Sequence, residues 1–349
     1  MSTEALRALD RRLAERAEAD ELSGAVLLSV AGETLLEGCY GLADRAAGVP
    51  VTTRTRFGVA SMSKMFTAAA VLDLVGEGRL TVGDRVVDVL PAARRPATLR
   101  DDVTVHHLLT HTSGIADYAE EDEDTPGYVE DYGALWRDLP CYRVERPDDF
   151  LPLYGDRPPY RAPGERFHYS NAGYVLLSAV VEEVTGRPFT AVVTERVLGR
   201  AGMTASGYFR TDEARPDVAV GHLPRDDGPW RSNVFSIPVV GGGDGGAFVT
   251  ARDVDRFLTA FEDGSLLGGL RDAALTRHTE VLDAPGFGMG YGVILYPDGR
   301  FGHGGGDPGV DVLAQRWPEE GATLVVLCNM AEPAADIRTA VLEAWRAPG

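Results

Sequence analysis

The sequence predicts one α/β unit whose sheet is assembled from both ends of the chain, with a largely helical insertion between them. Three observations carry this. Two β-like runs, "SGAVLLSVAG" and "ETLLEGCYG", stand near the start, separated by a glycine-containing turn as in a hairpin. Helical periodicity and loops dominate the middle. β-rich segments then return around "YGVILYP", "VDVLAQRW" and "ATLVVLCN". The expected division is a single domain, 1–349, in which 1–75 joins 246–349 as the sheet lobe and 76–245 is mainly helical.

Each element has its own warrant. Leu6, Leu9, Leu13 and Ala17 recur at helical spacing and predict an amphipathic opening helix. After the hairpin, "TRFGVA" reads as a short extended piece leading into a helix from about Ser61 to Val75, apolar on most sides. "VTVHHLLTHTSG" predicts a short helix ended by Gly114, in the position a C-terminal cap favours. From Asp117 to Glu165 runs an acidic, Pro- and Tyr-rich stretch with weak periodicity, and a connection that long is usually a pocket wall or lid. "NAGYVLLSAVVEEVTG" predicts a strong helix with Asn171 as N-cap and Gly186 just past its end. Thr250 and Asp253 resemble a capping box before "FLTAF", and a last helix is expected from Ala334 onward.

Bulk properties exclude several function classes. The net charge of -19 argues against nucleic acid and anionic membranes as partners, because both need a basic footprint. Three scattered cysteines give no disulfide framework, and no Cys/His spacing resembles a zinc site. The charged opening residues lack the apolar run of a signal peptide, and no apolar stretch approaches a membrane span. The expectation is a cytoplasmic protein that needs no cofactor and acts on a small molecule.

Chemistry enters at "ASMSKMF". Of the 34 basic residues, Lys64 is the only lysine, three residues after Ser61. Arginine is effectively never deprotonated, whereas a desolvated lysine loses its proton readily. A serine hydroxyl needs such a base to become a nucleophile. Alone, the pair reads equally as a helix cap followed by a surface lysine. A second element, "RFHYSNAGYVLL", holds Tyr169 and Asn171 at the start of the strong helix. A phenol can relay a proton and an amide can bind a carbonyl, although a core tyrosine and an ordinary cap would look the same. The third, "GRFGHGGGDPG", puts His303, Gly304, Gly305 and Gly306 in a β-like segment. Glycines there mark a close approach by another backbone or a ligand, or simply a turn.

In this order and spacing the three elements resemble the serine β-lactamase-related superfamily, which spans class C β-lactamases, D-Ala-D-Ala carboxypeptidases, D-aminopeptidases, esterases and acyltransferases. "LLTHTSGIADY" and "GGAFVTARDVDRFL" look like the family too, so the resemblance runs from about Gly24 to Asn329. It implies an antiparallel sheet flanked by helices beside an all-helical lobe, with the site between them. By resemblance Ser61 is the acylated nucleophile, Lys64 its proton acceptor and Tyr169 the proton-shuttling phenol. Asn171 is then a substrate-amide ligand. His303 to Gly305 match the third motif, with the second oxyanion N–H from Gly306. One departure stands out: the family's β-lactamases carry Lys-Thr-Gly where this chain has His-Gly-Gly, so a cation for a substrate carboxylate is less assured. The implied activity is a serine hydrolase on an ester, amide or peptide, first a carboxylesterase, then a D-peptidase or β-lactamase. An acyltransferase or a ligand-binding sensor on the same scaffold stays open.

Other signals carry less. "GGGDGG" at 241–246 matches a dinucleotide loop literally, but no helix opens after it and Asp244 would repel phosphate. His107 and His111 lack the glutamate of a zinc-protease motif. The acidic run "AEEDEDTPGYVED" reads first as a solvated loop; the sharper alternative is that Tyr118 and nearby acids line the cleft mouth and, with Asp307, favour a substrate bearing an amine.

Overall fold

The computed structural model describes residues 3–225, 230–281, 284–331 and 334–348. Its main sheet has eight antiparallel strands in the order Glu33–Tyr40, Gly24–Val30, Ala322–Cys328, Val310–Trp317, Phe301–Asp307, Ile294–Leu295, Gly288–Met289, Thr279–Glu280. The amino-terminal hairpin is joined to the rest where Gly24–Val30 pairs antiparallel with Ala322–Cys328, from Gly24 opposite Cys328 to Val30 opposite Ala322. The sheet does use both chain ends.

Alternation along the central strands explains the layers. Val26, Leu28, Leu324 and Val326 face a cluster with Leu6, Leu9 and Leu13 of the first helix (Thr3–Glu18) and Ile337, Val341 and Trp345 of the last (Ala334–Arg346). Their neighbours Ala25, Leu27, Val325 and Leu327 face the larger core. That side is covered by helix Ala251–Glu262, whose Val254, Phe257, Leu258 and Phe261 are buried. Period-two side-chain alternation thus gives each strand two apolar faces, as a sheet sandwiched between helices requires.

The helical part is organised around Lys64–Gly76 and Asn171–Thr185, which pack on each other and are buried on nearly every side. Several boundaries differ from the sequence expectation. The short helix is Val105–Leu109, and the left-handed residue after its cap is His111 (φ 56), not Gly114. Gly114 also has positive φ, but its turn comes later, against the Arg161 carbonyl. The N-cap of Asn171–Thr185 is Ser170, whose Oγ accepts from Gly173 N–H; Asn171 is already the first helical residue. Ser61 lies in a 3-10 turn, Ala60–Ser63, and the α-helix begins at Lys64. The 117–165 stretch forms short turns, Tyr132–Trp136, Cys141–Arg143 and Pro147–Phe150, and one short helix, Leu151–Tyr154.

Candidate active site

Ser61 sits at the junction of three elements. The turn that carries it follows Ala60, a non-glycine residue at φ 43, a sparsely populated conformation that persists only when surroundings enforce it. Strand Phe301–Asp307 provides part of that enforcement. A Cβ on Gly305 would stand 2.4 Å from Val59 O, 2.9 Å from Ser61 N and 3.0 Å from Met62 N. Only glycine lets the strand approach the turn this closely, which is the reason for glycine at that point of "HGGG".

Lys64 is fully buried, 0% exposed, and its Nζ meets three acceptors: Ser61 Oγ at 2.9 Å, Asn171 Oδ1 at 2.7 Å and Asp244 O at 2.8 Å. Burial pushes its pKa below the usual lysine value, opposed by Asp244, Glu121, Asp117 and Asp307. As an ammonium Lys64 donates to all three; once it loses a proton, Asn171 Oδ1 and the Asp244 carbonyl, which can only accept, keep the two N–H bonds and the lone pair is left for the Ser61 hydroxyl. Asn171 is held in register because Asp117 accepts from the backbone N–H groups of Asn171 (2.5 Å) and Ala172 (3.1 Å). Burial raises the Asp117 pKa to about 6.

Tyr169 completes the cluster. Its phenol lies close enough to Ser61 for that hydroxyl to moderate its pKa, its ring centroid is 4.8 Å from Lys64 Nζ, and it stacks on His111 at 4.5 Å. Burial drives its pKa well above the ordinary phenol value, so it rests protonated. His111, itself kept neutral by burial, accepts from Ser170 N–H through Nδ1 at 3.0 Å and so ties the helix start to the tyrosine.

A cavity of about 400 Å3 opens in front of this cluster, and its wall includes Ser61, Asn171, Gly306 and Asp307. Tyr118, Glu121, Tyr132 and Phe150 bring the 117–165 stretch into the same wall. The expectation that His303 touches substrate meets a different arrangement. Its ring is 4% exposed, Nδ1 is 2.5 Å from Gly304 O, and burial with Lys64 nearby pushes its pKa down to about 4. It is a neutral ring behind the wall rather than a cation in the cleft.

Sequence reasoning overlooked the part played by 241–246. Besides the Asp244 carbonyl at Lys64, Gly243 O accepts from Thr67 Oγ1 at 2.6 Å, and a Cβ on Gly243 would lie 2.1 Å from Tyr174 O. The Asp244 carboxylate accepts from Tyr118 Oη. Gly243 lets the loop press on helix Asn171–Thr185 while its carbonyls reach Lys64 and Thr67, the same signal of close approach that marks Gly305. Among the described residues no group of His, Cys, Asp or Glu is placed to hold a metal ion, and no helix is long and apolar enough to cross a membrane.

A buried amine aimed at a serine, beside a phenol and under a glycine strand, is the arrangement of serine hydrolases that use lysine in place of histidine. The beta-lactamase family model matches residues 9–345, and the chain belongs to that family of serine hydrolases. It is similar to a crystallised penicillin-binding protein from Bacillus halodurans (38% identity, TM-score 0.87, covering 95% of this chain and 99% of that one). A D-stereospecific amidohydrolase from Streptomyces sp. superposes with TM-score 0.77 at 27% identity, covering 97% of each chain. Esterase EstB of Burkholderia gladioli is 33% identical over 311 residues, 81% of this chain and 76% of that protein.

Proposed function

We propose that the protein hydrolyses a small ester or amide through a Ser61 acyl-enzyme, with a carboxylic ester as its first substrate class. One observation carries the reading: the chain's single lysine is fully buried with Nζ 2.9 Å from Ser61 Oγ. Lys64 takes the Ser61 proton as Oγ attacks the carbonyl carbon. Backbone N–H groups of Ser61 and Gly306 hold the developing oxyanion, and Asn171 meets the polar group beside the scissile bond. Tyr169 passes a proton to the leaving group, and the same pair then activates water to release the acid. General acid–base help is worth roughly 10²–10⁴-fold and an oxyanion donor roughly 10²–10³-fold.

The 33% identity to an esterase supports the ester reading. The likeness to a D-stereospecific amidohydrolase over 97% of the chain favours a D-amino-acid amide or peptide as the second. Purified protein and its Ser61→Ala variant are assayed on a p-nitrophenyl ester, a D-alanine anilide and a cephalosporin. Turnover lost in Ser61→Ala supports the mechanism and ranks the classes. Turnover that survives the variant refutes it.

A further inference from the structure

The cavity in front of Ser61 is unbalanced in charge. Its two arginines are already occupied within the wall: Arg210 clamps Asp212 at 2.9 and 3.0 Å, and Arg215 holds Glu213 at 2.5 and 3.1 Å. Among the described residues no other cation faces the cleft: Lys64 bonds Ser61, Asn171 and the Asp244 carbonyl, and His303 is buried. Of the wall's other four carboxylates, Asp44 accepts from Ala47 N–H and Asp244 from Tyr118 Oη, which leaves Glu121 and Asp307. Glu121 receives only the Asn171 side-chain amide, at 3.3 Å. Asp307 ends the strand one residue past Gly306, and among the described residues no hydrogen bond or ion pair holds its carboxyl; burial and then Asp244 push its pKa up to about 7, and an ammonium bound beside it would draw it into the charged form.

An uncharged group stands beside them. Asn329 lines the cavity and is 2% exposed. Its Nδ2 donates to Val220 O at 2.9 Å and Leu42 O at 3.1 Å, which fixes the amide's orientation. Its Oδ1 has no hydrogen-bond partner among the described residues. That oxygen is itself shielded from solvent, so the amide serves to brace the wall and the recognition falls to the carboxylates. Carboxylates on the wall, with the arginines there committed to other acids, suit an N–H donor.

We propose that this cavity selects substrates bearing a protonated amine, with Asp307 and Glu121 as the counter-charges, and disfavours substrates bearing a carboxylate. This rests on the hydrolase reading and gives it a substrate class. It also accounts for His-Gly-Gly at the third motif: a site that binds an ammonium gains nothing from a lysine there.

The test uses benzyl esters of alanine and 4-aminobutanoate, their uncharged isosteres isobutyrate and pentanoate, and monobenzyl glutarate, with released benzyl alcohol measured by chromatography at pH 7. The ammonium ester of one pair is expected to exceed its isostere in kcat/KM, with glutarate slowest. Asp307→Asn should cut that ammonium-to-neutral ratio by roughly 10- to 100-fold, the worth of an ionic hydrogen bond. Asp307→Lys should shift preference toward glutarate. A ratio unchanged in Asp307→Asn, or an equal loss on every ester, overturns the proposal. Calorimetric binding of the same esters to Ser61→Ala separates the two readings. Preferential ammonium binding without wild-type turnover would retain the selection and refute the hydrolase, whereas binding indifferent to charge refutes the selection.

Discussion

Replacing Lys64 by arginine puts the chemistry to its hardest test. Arginine is a permanent cation with more N–H donors and slightly greater reach, so it can still meet Asn171 Oδ1 and the Asp244 carbonyl, now 2.7 and 2.8 Å from Nζ. What it lacks is a lone pair. A guanidinium cannot take the Ser61 proton at any working pH, so the whole general-base contribution disappears. That contribution is about 10²–10⁴-fold, or about 2.7–5.4 kcal/mol of barrier. The site is tightly packed, and the extra atoms cost a further ~1–3 kcal/mol of stability, so a melting curve must accompany the kinetics. Labelling of Ser61 by a fluorophosphonate, followed by intact mass, reads the nucleophile directly and needs no knowledge of the substrate. The expected result is a folded variant whose labelling rate has fallen by at least about 100-fold. A folded Lys64→Arg protein that labels within about threefold of wild type would refute the proton-acceptor role, since an effect of that size is below what general-base catalysis supplies.

Three further outcomes follow from the same geometry. The labelling rate should climb with pH as Lys64 becomes neutral, along a limb centred below the ordinary lysine value of 10.5, because burial lowers its pKa; a limb at or above 10.5 contradicts this. Gly305→Ala must displace the Ser61 turn, since its Cβ would be 2.4 Å from Val59 O, and a shift near 1 Å costs activity about 100-fold; an unimpaired variant would show that the strand does not position the nucleophile. Glu120 raises the His168 pKa through their 2.8 Å contact. The stability this pair contributes is therefore full below the unfolded value near 6.5 and is lost as pH rises through the raised folded value. Urea midpoints of wild type and His168→Gln should differ most near pH 5.5 and converge above pH 9, and a gap that widens with pH would reverse the assignment.

The sheet and its flanking helices were legible because period-two and period-3.6 patterns are long in "SGAVLLSV", "ATLVVLC" and "VLLSAVVEEV". Element ends were not, for local reasons. Ser170 and Asn171 are both good caps, and what decides between them is Asp117, 54 residues away, which takes the Asn171 N–H. His111 adopts a positive φ with no glycine to announce it, because its ring is packed between Tyr169 and Tyr174. Ser61 and Lys64 stood out by residue type and spacing. Asp244 did not, since it serves Lys64 through a backbone carbonyl that any residue possesses. The burial of His303 was equally hidden, because nothing local distinguishes an inward histidine from one at a cleft.

The antiparallel seam between Gly24–Val30 and Ala322–Cys328 has a temporal meaning. During synthesis the Ser61 turn emerges before Gly305, which packs on it, and before strand Ala322–Cys328, which closes the hairpin into the sheet. Such long-range pairing makes closure of the sheet a late event. A nascent chain therefore carries Ser61 and Lys64 before the strand that seats them has been made, so the turn at Ala60 has nothing to enforce it until Gly305 arrives.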